Sequence, residues 1–266
     1  MGEIALGQYY PSNSILHKLD PRVKFIGTIV YIVSLFLVNT WIGYLFCAGF
    51  LIVMVILSRV PFHFILKSMK PVFFILVITM LFNLFLTPGE PVVKFWIFTI
   101  SDQGISMAVR MGARLTLLVM GSSIMTLTTT PNALTDGMER LFSFLKVIHV
   151  PVHEISMMMS IALRFIPILA EETDKIKKAQ IARGADFETG GLIRRLKSMV
   201  PLLVPLFVSA FRRANDLAMA MEARCYHGGD GRTQMKPLRY AGRDYAAYAI
   251  LAAYLAVCIV FCWRHL

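Results

Sequence analysis

The stretch FIGTIVYIVSLFLVNTWIGYLFCAGFLIVMVIL, from Phe25 to Leu57, contains no Asp, Glu, Lys or Arg. It is two apolar runs, Phe25 to Val38 and Ile42 to Leu57, separated only by Asn39-Thr40-Trp41. A link that short between two such runs permits only an antiparallel hairpin of membrane spans. Composition agrees. Of 266 residues, 57% are hydrophobic, and mean hydropathy is +0.65, against roughly 45 to 50% apolar residues in soluble proteins. A soluble fold would leave far too much apolar surface, so the chain reads as an integral membrane protein. Its formal net charge of +11 does not indicate nucleic acid as a partner. The basic residues sit between and beside apolar runs, where the positive-inside rule expects them.

Outward from this hairpin, the beginning of the chain is polar, with Glu3 ahead of Leu16-His17-Lys18. It lacks the charged-then-apolar order of a signal peptide, so the N-terminus is expected to stay, on the cytoplasmic side. Met1-Gly2 lacks the Ser or Thr of an acylation signal, Leu6 standing in that place. After the hairpin, Arg59, Lys67 and Lys70, flanked by Pro61 and Pro71, read as a cytoplasmic loop before a third run, Val72 to Leu86. Pro88-Gly89, Pro91 and the alternation of Val93, Phe95 and Ile97 indicate an external turn or short hairpin over residues 87–103. A fourth run centres on Leu115 to Met125 and opens with Arg110 and Arg114. These arginines either snorkel to the interface, the simpler reading, or pair inside the bundle.

From Thr130-Pro131 the pattern changes. Leu134, Met138, Leu141, Phe142 and Leu145 recur at helical spacing among charged residues, marking an amphipathic helix that Val150-Pro151 breaks. A long helix over about 151–185 begins apolar, with Met157-Met158-Met159, and ends charged, with Pro167 expected to kink it. Another, over about 191–224, holds Pro201 and Pro205 in an apolar middle, Met199 to Phe211, too short to span comfortably. Tyr245 to Trp263 is a final span. The expected fold is therefore all-α: about five transmembrane helices plus a cytoplasmic domain of long, proline-kinked helices. Residues 1–130 form a membrane domain with four spans, 131–241 the cytoplasmic region and 242–266 the last span, which leaves the C-terminus outside.

Within the cytoplasmic region a small pattern occurs twice. Ala179-Gln180-Ile181-Ala182-Arg183 is followed by Gly184, and Ala220-Met221-Glu222-Ala223-Arg224 by Cys225. On a helix each copy sets two small side chains beside one guanidinium. Gly184 and the pair Gly228-Gly229 are helix-stop residues that would place each arginine near a helix end. Two similar prongs suggest two similar sockets, and a guanidinium on a flattened face suits a carboxylate. Alone, each arginine also reads as a solvated cation at the negative end of a helix dipole.

The chain offers little chemistry. Gly228-Gly229-Asp230-Gly231-Arg232-Thr233 lacks the GxxxxGK[ST] order and reads as a turn. His149, His153 and Glu154 do not share a helix face and suit ordinary surface positions better than a metal site. Cys47, Cys225, Cys258 and Cys262 show no metal spacing and read as packing residues. No Ser/His/Asp set, HExxH or GxSxG is present, so no catalytic residue and no metal ligand is expected. The first three spans hold almost no ionisable residue, which disfavours an ion-coupled transporter. Energy for transport would have to come from another chain.

Taken together, these residues resemble the transmembrane T component, EcfT, of energy-coupling factor (ECF) vitamin transporters, in the EcfT/CbiQ/BioN family. Asp20-Pro21-Arg22-Val23-Lys24 is similar to the family's entry to its first span, and Leu163-Arg164-Phe165-Ile166-Pro167 to its Leu-Arg-Phe-x-Pro box. Ala182-Arg183-Gly184 and Ala223-Arg224-Cys225 then follow in order. The resemblance implies a multi-pass protein of the bacterial cell membrane, a non-catalytic scaffold that binds neither ATP nor vitamin. It implies that Arg183 and Arg224 dock coupling helices into two ABC-type ATPase subunits, which hold ATP and Mg. Ala182, Gly184, Ala223 and Cys225 would complete the docking tips. Cys225, where Ala-Arg-Gly is commoner, implies a less tightly turned end or a different socket, hence two non-identical ATPases (EcfA and EcfA'). Other faces of these helices would hold a vitamin-binding S component, with Met157, Met158, Met159, Ala179 and Ala220 as contact or helix-packing candidates. Asp20, Pro21, Arg22, Arg164 and Pro167 would be structural. The competing reading is a self-sufficient secondary transporter; a membrane-bound enzyme stands third.

Overall fold

The computed structural model describes residues 9–88, 91–95, 98–187, 191–228, 235 and 237–263. For residues 91–95, 98–100, 192, 194 and 195 only the backbone is described. The chain folds as two compact units, one made of Gly7–Gly137 with Leu238–Leu266 and the other containing Met138–Pro237.

In the first unit, α1 (Pro21–Leu37) starts where Asp20 caps it, accepting the Arg22 backbone N–H at 2.9 Å, with proline in the first turn, where a missing N–H costs nothing. α2 (Trp41–Ser58) follows after three residues, capped by Thr40. The turn is tight enough that a Cβ on Gly43 would come within 2.3 Å of Val38. The antiparallel hairpin expected from the sequence is thus set by sterics as well as by length. α3 (Phe62–Leu86) continues through Pro71. An antiparallel pair of strands, β1 (Pro91–Phe95) and β2 (Phe98–Ser101), then leads into α4 (Asp102–Thr128). The short hairpin of the sequence reading is therefore present, with Ile97 outside the described residues. α8 (Gly242–Trp263) closes the unit against α1. The two run in parallel, since the Asp20 N–H donates to Asp244 Oδ1 at 2.9 Å and, further along both helices, Ser34 Oγ lies 2.7 Å from the Tyr254 hydroxyl.

The core of this unit joins α1, α2, α4 and α8 through Tyr31, Leu35, Cys47, Leu51, Ile124 and Tyr254. Gly121 lets α4 approach α1; a Cβ there would sit 2.4 Å from the Tyr31 ring. Cys47 and Cys258 are fully buried packing residues, as expected, but Cys225 is exposed and packs no core.

By length and composition, α2, α3, α4, α8 and α6 (Val152–Ala182) are able to cross a membrane. Among the described residues the number, five, matches the sequence reading, but the membership differs. α1, at 17 residues, stands at the lower limit of about 17 for a span, and α6 is apolar enough over its first part to qualify. α7 (Leu192–Ala223), with its short apolar middle, is not in this set.

Arg114 is held by side chains and backbone of neighbouring elements. Its Nε donates to the Tyr44 hydroxyl at 3.0 Å, and its guanidinium also donates to Asn39 Oδ1 at 3.0 Å and to the Val38 carbonyl at 3.4 Å. It fastens α4 to the α1–α2 turn. Among the described residues, Arg110 bonds only its own helix, Nε to the Ser106 carbonyl at 3.3 Å. Hydrogen bonds made by a charged group contribute about 1.5 to 3 kcal/mol. Arg114→Gln should therefore lower stability by about 2 kcal/mol, seen as a lower midpoint of thermal unfolding in detergent. Arg110→Gln should leave the midpoint nearly unchanged.

Candidate docking site on two arginine-tipped helices

The second unit begins with the end of α5 (Pro131–Leu141), which tightens into a 3-10 helix, Phe142–Ile148. The sequence reading carried one amphipathic helix through Leu145. The α-helical turns stop at Leu141, and His149 reverses the chain in the left-handed region at φ 61°. Glu139 of α5 then holds the first turn of α6. Its Oε1 pairs with His153 Nδ1 at 2.8 Å, and its Oε2 accepts from Ser156 Oγ at 3.0 Å. His153 is thus tied to Glu139 rather than free on the surface, while His149 and Glu154 are exposed.

α6 runs to Ala182 with Arg183 as its C-cap, and α7 runs to Ala223 with Arg224 as its C-cap. Past Arg183, Gly184 takes φ 87°; its N–H donates to the Ile181 carbonyl at 2.9 Å and that of Ala185 to Gln180 at 3.0 Å. Past Arg224, Cys225 takes φ 54°; its N–H donates to Glu222 at 2.8 Å and that of Tyr226 to Met221 at 3.0 Å. Each is the pair of bonds of a Schellman motif, in which a left-handed residue satisfies carbonyls that the helix end would leave bare. The two ends share this pair of bonds, although the Arg183 N–H also reaches the Ala179 carbonyl at 3.2 Å, whereas the Arg224 N–H turns to Met221 at 3.1 Å.

This corrects two expectations. The second helix stops at Cys225 itself, three residues before Gly228, with Gly229 outside the described residues. The turn at Cys225 is also not looser than its glycine counterpart. A residue with a Cβ in this region costs roughly 1 to 2 kcal/mol, so the second tip keeps its shape against a local preference.

Ala182, Arg183, Gly184, Ala223, Arg224 and Cys225 are all exposed. Neither guanidinium makes a hydrogen bond or ion pair among the described residues. Ala179 and Ala220 lie exposed one turn back, as the repeated spacing requires. Of the three methionines, Met158 and Met159 are exposed and Met157 is half-buried. Arg164 and Pro167 are exposed on α6, which continues as helix through the proline. Asp20, Pro21 and Arg22 are in the first unit, where Arg22 donates to the Leu238 carbonyl at 3.0 Å and lies 4.4 Å from the centre of the Tyr240 ring.

A brace that the sequence reading missed joins the two helices. Arg213 of α7 donates to Glu172 Oε2 of α6 at 2.5 Å, and Ser209 Oγ donates to Glu172 Oε1 at 2.7 Å. Glu172 and Arg213 are 41 positions apart, the separation of Arg183 from Arg224. The brace therefore ties equivalent points of the repeat and leaves an arm of eleven residues, about 16 Å of helix, between it and each arginine. Asking which charged residues fall at equal repeat positions would have found this pair.

The arms differ in charge. From 173 to 184, Lys175, Lys177, Lys178 and Arg183 stand against Asp174, a net of +3. From 214 to 225, Arg224 stands against Asp216 and Glu222, a net of −1.

Residues 12–235 match the model of the family described as CbiQ, cobalt transport protein. The chain belongs to this family. It is 52% identical over 259 residues to the energy-coupling factor transporter transmembrane protein EcfT of Clostridium kluyveri, covering 97% of this chain and 95% of the relative. It is 50% identical over 253 residues to the EcfT of Ruminiclostridium cellulolyticum, covering 95% of each, and 49% identical over 257 residues to that of Thermosediminibacter oceani, covering 97% of each. As an EcfT/CbiQ family chain it carries the expected motifs in order along a helical membrane protein.

Two measurements test this geometry. Cys225→Gly should slow amide exchange in the last turn of α7, whereas Gly184→Val should speed it in the last turn of α6 by about tenfold, the equivalent of some 1.4 kcal/mol. Spin labels at 179 and 220 should give one narrow distance distribution that broadens in Glu172→Gln and is restored by exchanging the two charges, Glu172→Arg with Arg213→Glu.

Proposed function

We propose that this chain is the energy-coupling membrane scaffold of an ECF-type ABC importer. It transmits ATP-driven movement of two ATPase subunits to a membrane-embedded S component that binds a vitamin or similar micronutrient. The observation that carries this reading is the pair of exposed arginines, unpaired among the described residues, each at the C-cap of a long helix and each eleven residues from a shared brace. The name shared by its relatives, energy-coupling factor transporter transmembrane protein, supports it.

In this proposal Arg183 and Arg224 each enter an acidic socket on one ATPase. A guanidinium suits the task because it is always charged and pairs bidentately with a carboxylate. Ala182 and Ala223 keep the approach narrow, and the left-handed turn sends the chain away from the tip directly after the arginine. The +3 and −1 arms favour two non-identical ATPases, with the socket at Arg183 the more acidic. ATP and Mg belong to those subunits. When they close, the arms move as levers fixed at Glu172 and Arg213, a rigid-body mode of coupling. The S component would sit on the exposed apolar stripe of α7, Leu196, Val200, Leu203, Phe207 and Phe211, together with Met158 and Met159 of α6; a patch of this kind marks an interaction surface.

Both tips lie on the cytoplasmic side in this reading. The N-terminus is cytoplasmic, α1 to α4 and α8 cross the membrane, and the C-terminus is outside. Residues 131–241 form the coupling domain. The apolar half of α6 lies against or within the bilayer and its charged half extends from it.

Charge reversal of each arginine separately, with co-purification and uptake assays, tests the proposal. Arg183→Glu and Arg224→Glu should each weaken assembly by the 2 to 5 kcal/mol typical of a broken interfacial pair and abolish uptake. Raising salt should weaken docking at Arg183 more than at Arg224. Full assembly and uptake in both variants, or recovery of a single ATPase species filling both positions, would contradict it.

A further inference from the structure

The first unit holds a cavity of about 350 Å³ that the proposed coupling does not use. It lies among α1, α2, α4 and α8, and its lining is almost entirely apolar, Tyr31, Phe50, Leu51, Met54, Ile124 and Leu251 among it. The two charged residues that line it are Lys24 and Arg243, and both belong to the same end. Lys24 is in the first turn of α1 and Arg243 in the first turn of α8, and these helices run in parallel from the Asp20–Asp244 bond. From Val23 to Tyr31 on α1, and from Arg243 to Leu251 on α8, the slot extends about 12 Å at the helical rise of 1.5 Å per residue. It is a greasy slot with cations at one end only.

Those cations retain capacity. Lys24 Nζ donates to the Thr128 carbonyl at 2.8 Å and to the His17 carbonyl at 3.4 Å, which leaves one of the three ammonium donors. Arg243 is exposed and makes no hydrogen bond or ion pair among the described residues. The neighbouring carboxylates are committed to backbone N–H groups, although Asp20 also acts on Lys24 through its charge. Asp244 accepts the N–H groups of Asp20 and Ala241, while Asp20 accepts that of Arg22 and lies 3.3 Å from its guanidinium. Neither lines the slot.

We infer that this slot seats one acyl chain of an anionic phospholipid, with the phosphate held by Lys24 and Arg243. Charge complementarity selects the occupant. A zwitterionic lipid would bring a cation back to two cations, and basic pockets between membrane helices hold anionic head groups. A free anion would satisfy the rim and leave the apolar walls bare. A bound lipid would also brace α1, α2, α4 and α8 together at the end where the chain enters and leaves the bundle.

Native mass spectrometry of the full purified chain tests this. Dioleoyl phosphatidylglycerol and dioleoyl phosphatidylcholine are offered at equal concentration, with and without excess inorganic phosphate. The glycerol lipid should be retained about tenfold better, the margin of one charge-assisted contact. Arg243→Gln should remove that preference while the chain stays folded by circular dichroism. Ala247→Phe, which fills the slot, should lower retention of both lipids. Displacement of the lipid by inorganic phosphate would overturn the acyl-chain assignment. Equal retention of the two lipids, or no change in either variant, would also overturn it. Failure of the ATPase-docking proposal would leave these outcomes unaffected.

Discussion

The charge that α6 and α7 present at their tips depends on how they stop. A helix end exposes its last carbonyls, and they must find donors. At 184 and 225 the chain enters the left-handed region and folds two N–H groups back onto the last turn, so the helix ends without a frayed segment and the C-cap residue is left projecting. Because the C-cap is arginine in both, the same backbone device that terminates the helix also presents the charge. A tip built from an extended loop would hold its guanidinium over many positions and lose entropy on docking. A tip built on a closed helix end has already lost most of that freedom.

The brace gives this arrangement its second property. An ion pair at partial exposure contributes little to stability on its own, and Glu172 with Arg213 is not needed to explain why α6 and α7 fold. Its consequence is geometric: it fixes which residues of the two helices face each other. With equal arms beyond it, a displacement at one tip is referred to the same fulcrum as a displacement at the other. Ser209, a turn before Arg213, occupies the second carboxylate oxygen, so the Glu172 side chain is held from two positions on one face of α7. That restricts rotation of α6 about its own axis as well as sliding, and an arginine at a helix end is aimed by that rotation.

Much of this was legible in the sequence because it rests on local rules. The apolar runs, the three-residue hairpin link, the glycine stop at 184 and the doubled Ala-x-x-Ala-Arg follow from periodicity and helix-end chemistry. What was not legible is tertiary or locally disfavoured. Cys225 adopts a conformation that local preference assigns to glycine, and the Gly228-Gly229 pair downstream offered a better stop on paper. Arg114 reads as an interfacial cation until Tyr44 and Asn39 are brought beside it from 70 and 75 residues away. The partnership of Glu172 with Arg213 leaves no local pattern, and only the repeat offset encodes it. The boundary of the membrane on α6 was blurred for a related reason: its apolar and charged halves form one continuous helix, so hydropathy changes where secondary structure does not.

The repeat itself explains why the two tips resemble each other in backbone and not in charge. The offset of 41 carries over the features that geometry demands: small residues a turn apart, the C-cap arginine, the left-handed stop and the point of bracing. It does not carry over Lys175, Lys177 and Lys178, which have Asp216, Ala218 and Met219 in their places on α7. Those positions are solvent-facing or half-buried on the arm, so neither helix termination nor packing fixes their identity, and the difference is left to whatever the arm meets. Two tips alike in shape but separated by four units of charge present matched levers to unmatched electrostatic surroundings. The shape governs how each arm transmits displacement, while the charge governs which socket it enters first and most tightly, because steering by charge acts before contact. Cys225 fits the same division, since its backbone copies Gly184 and only its side chain adds something new at the mouth of the second socket.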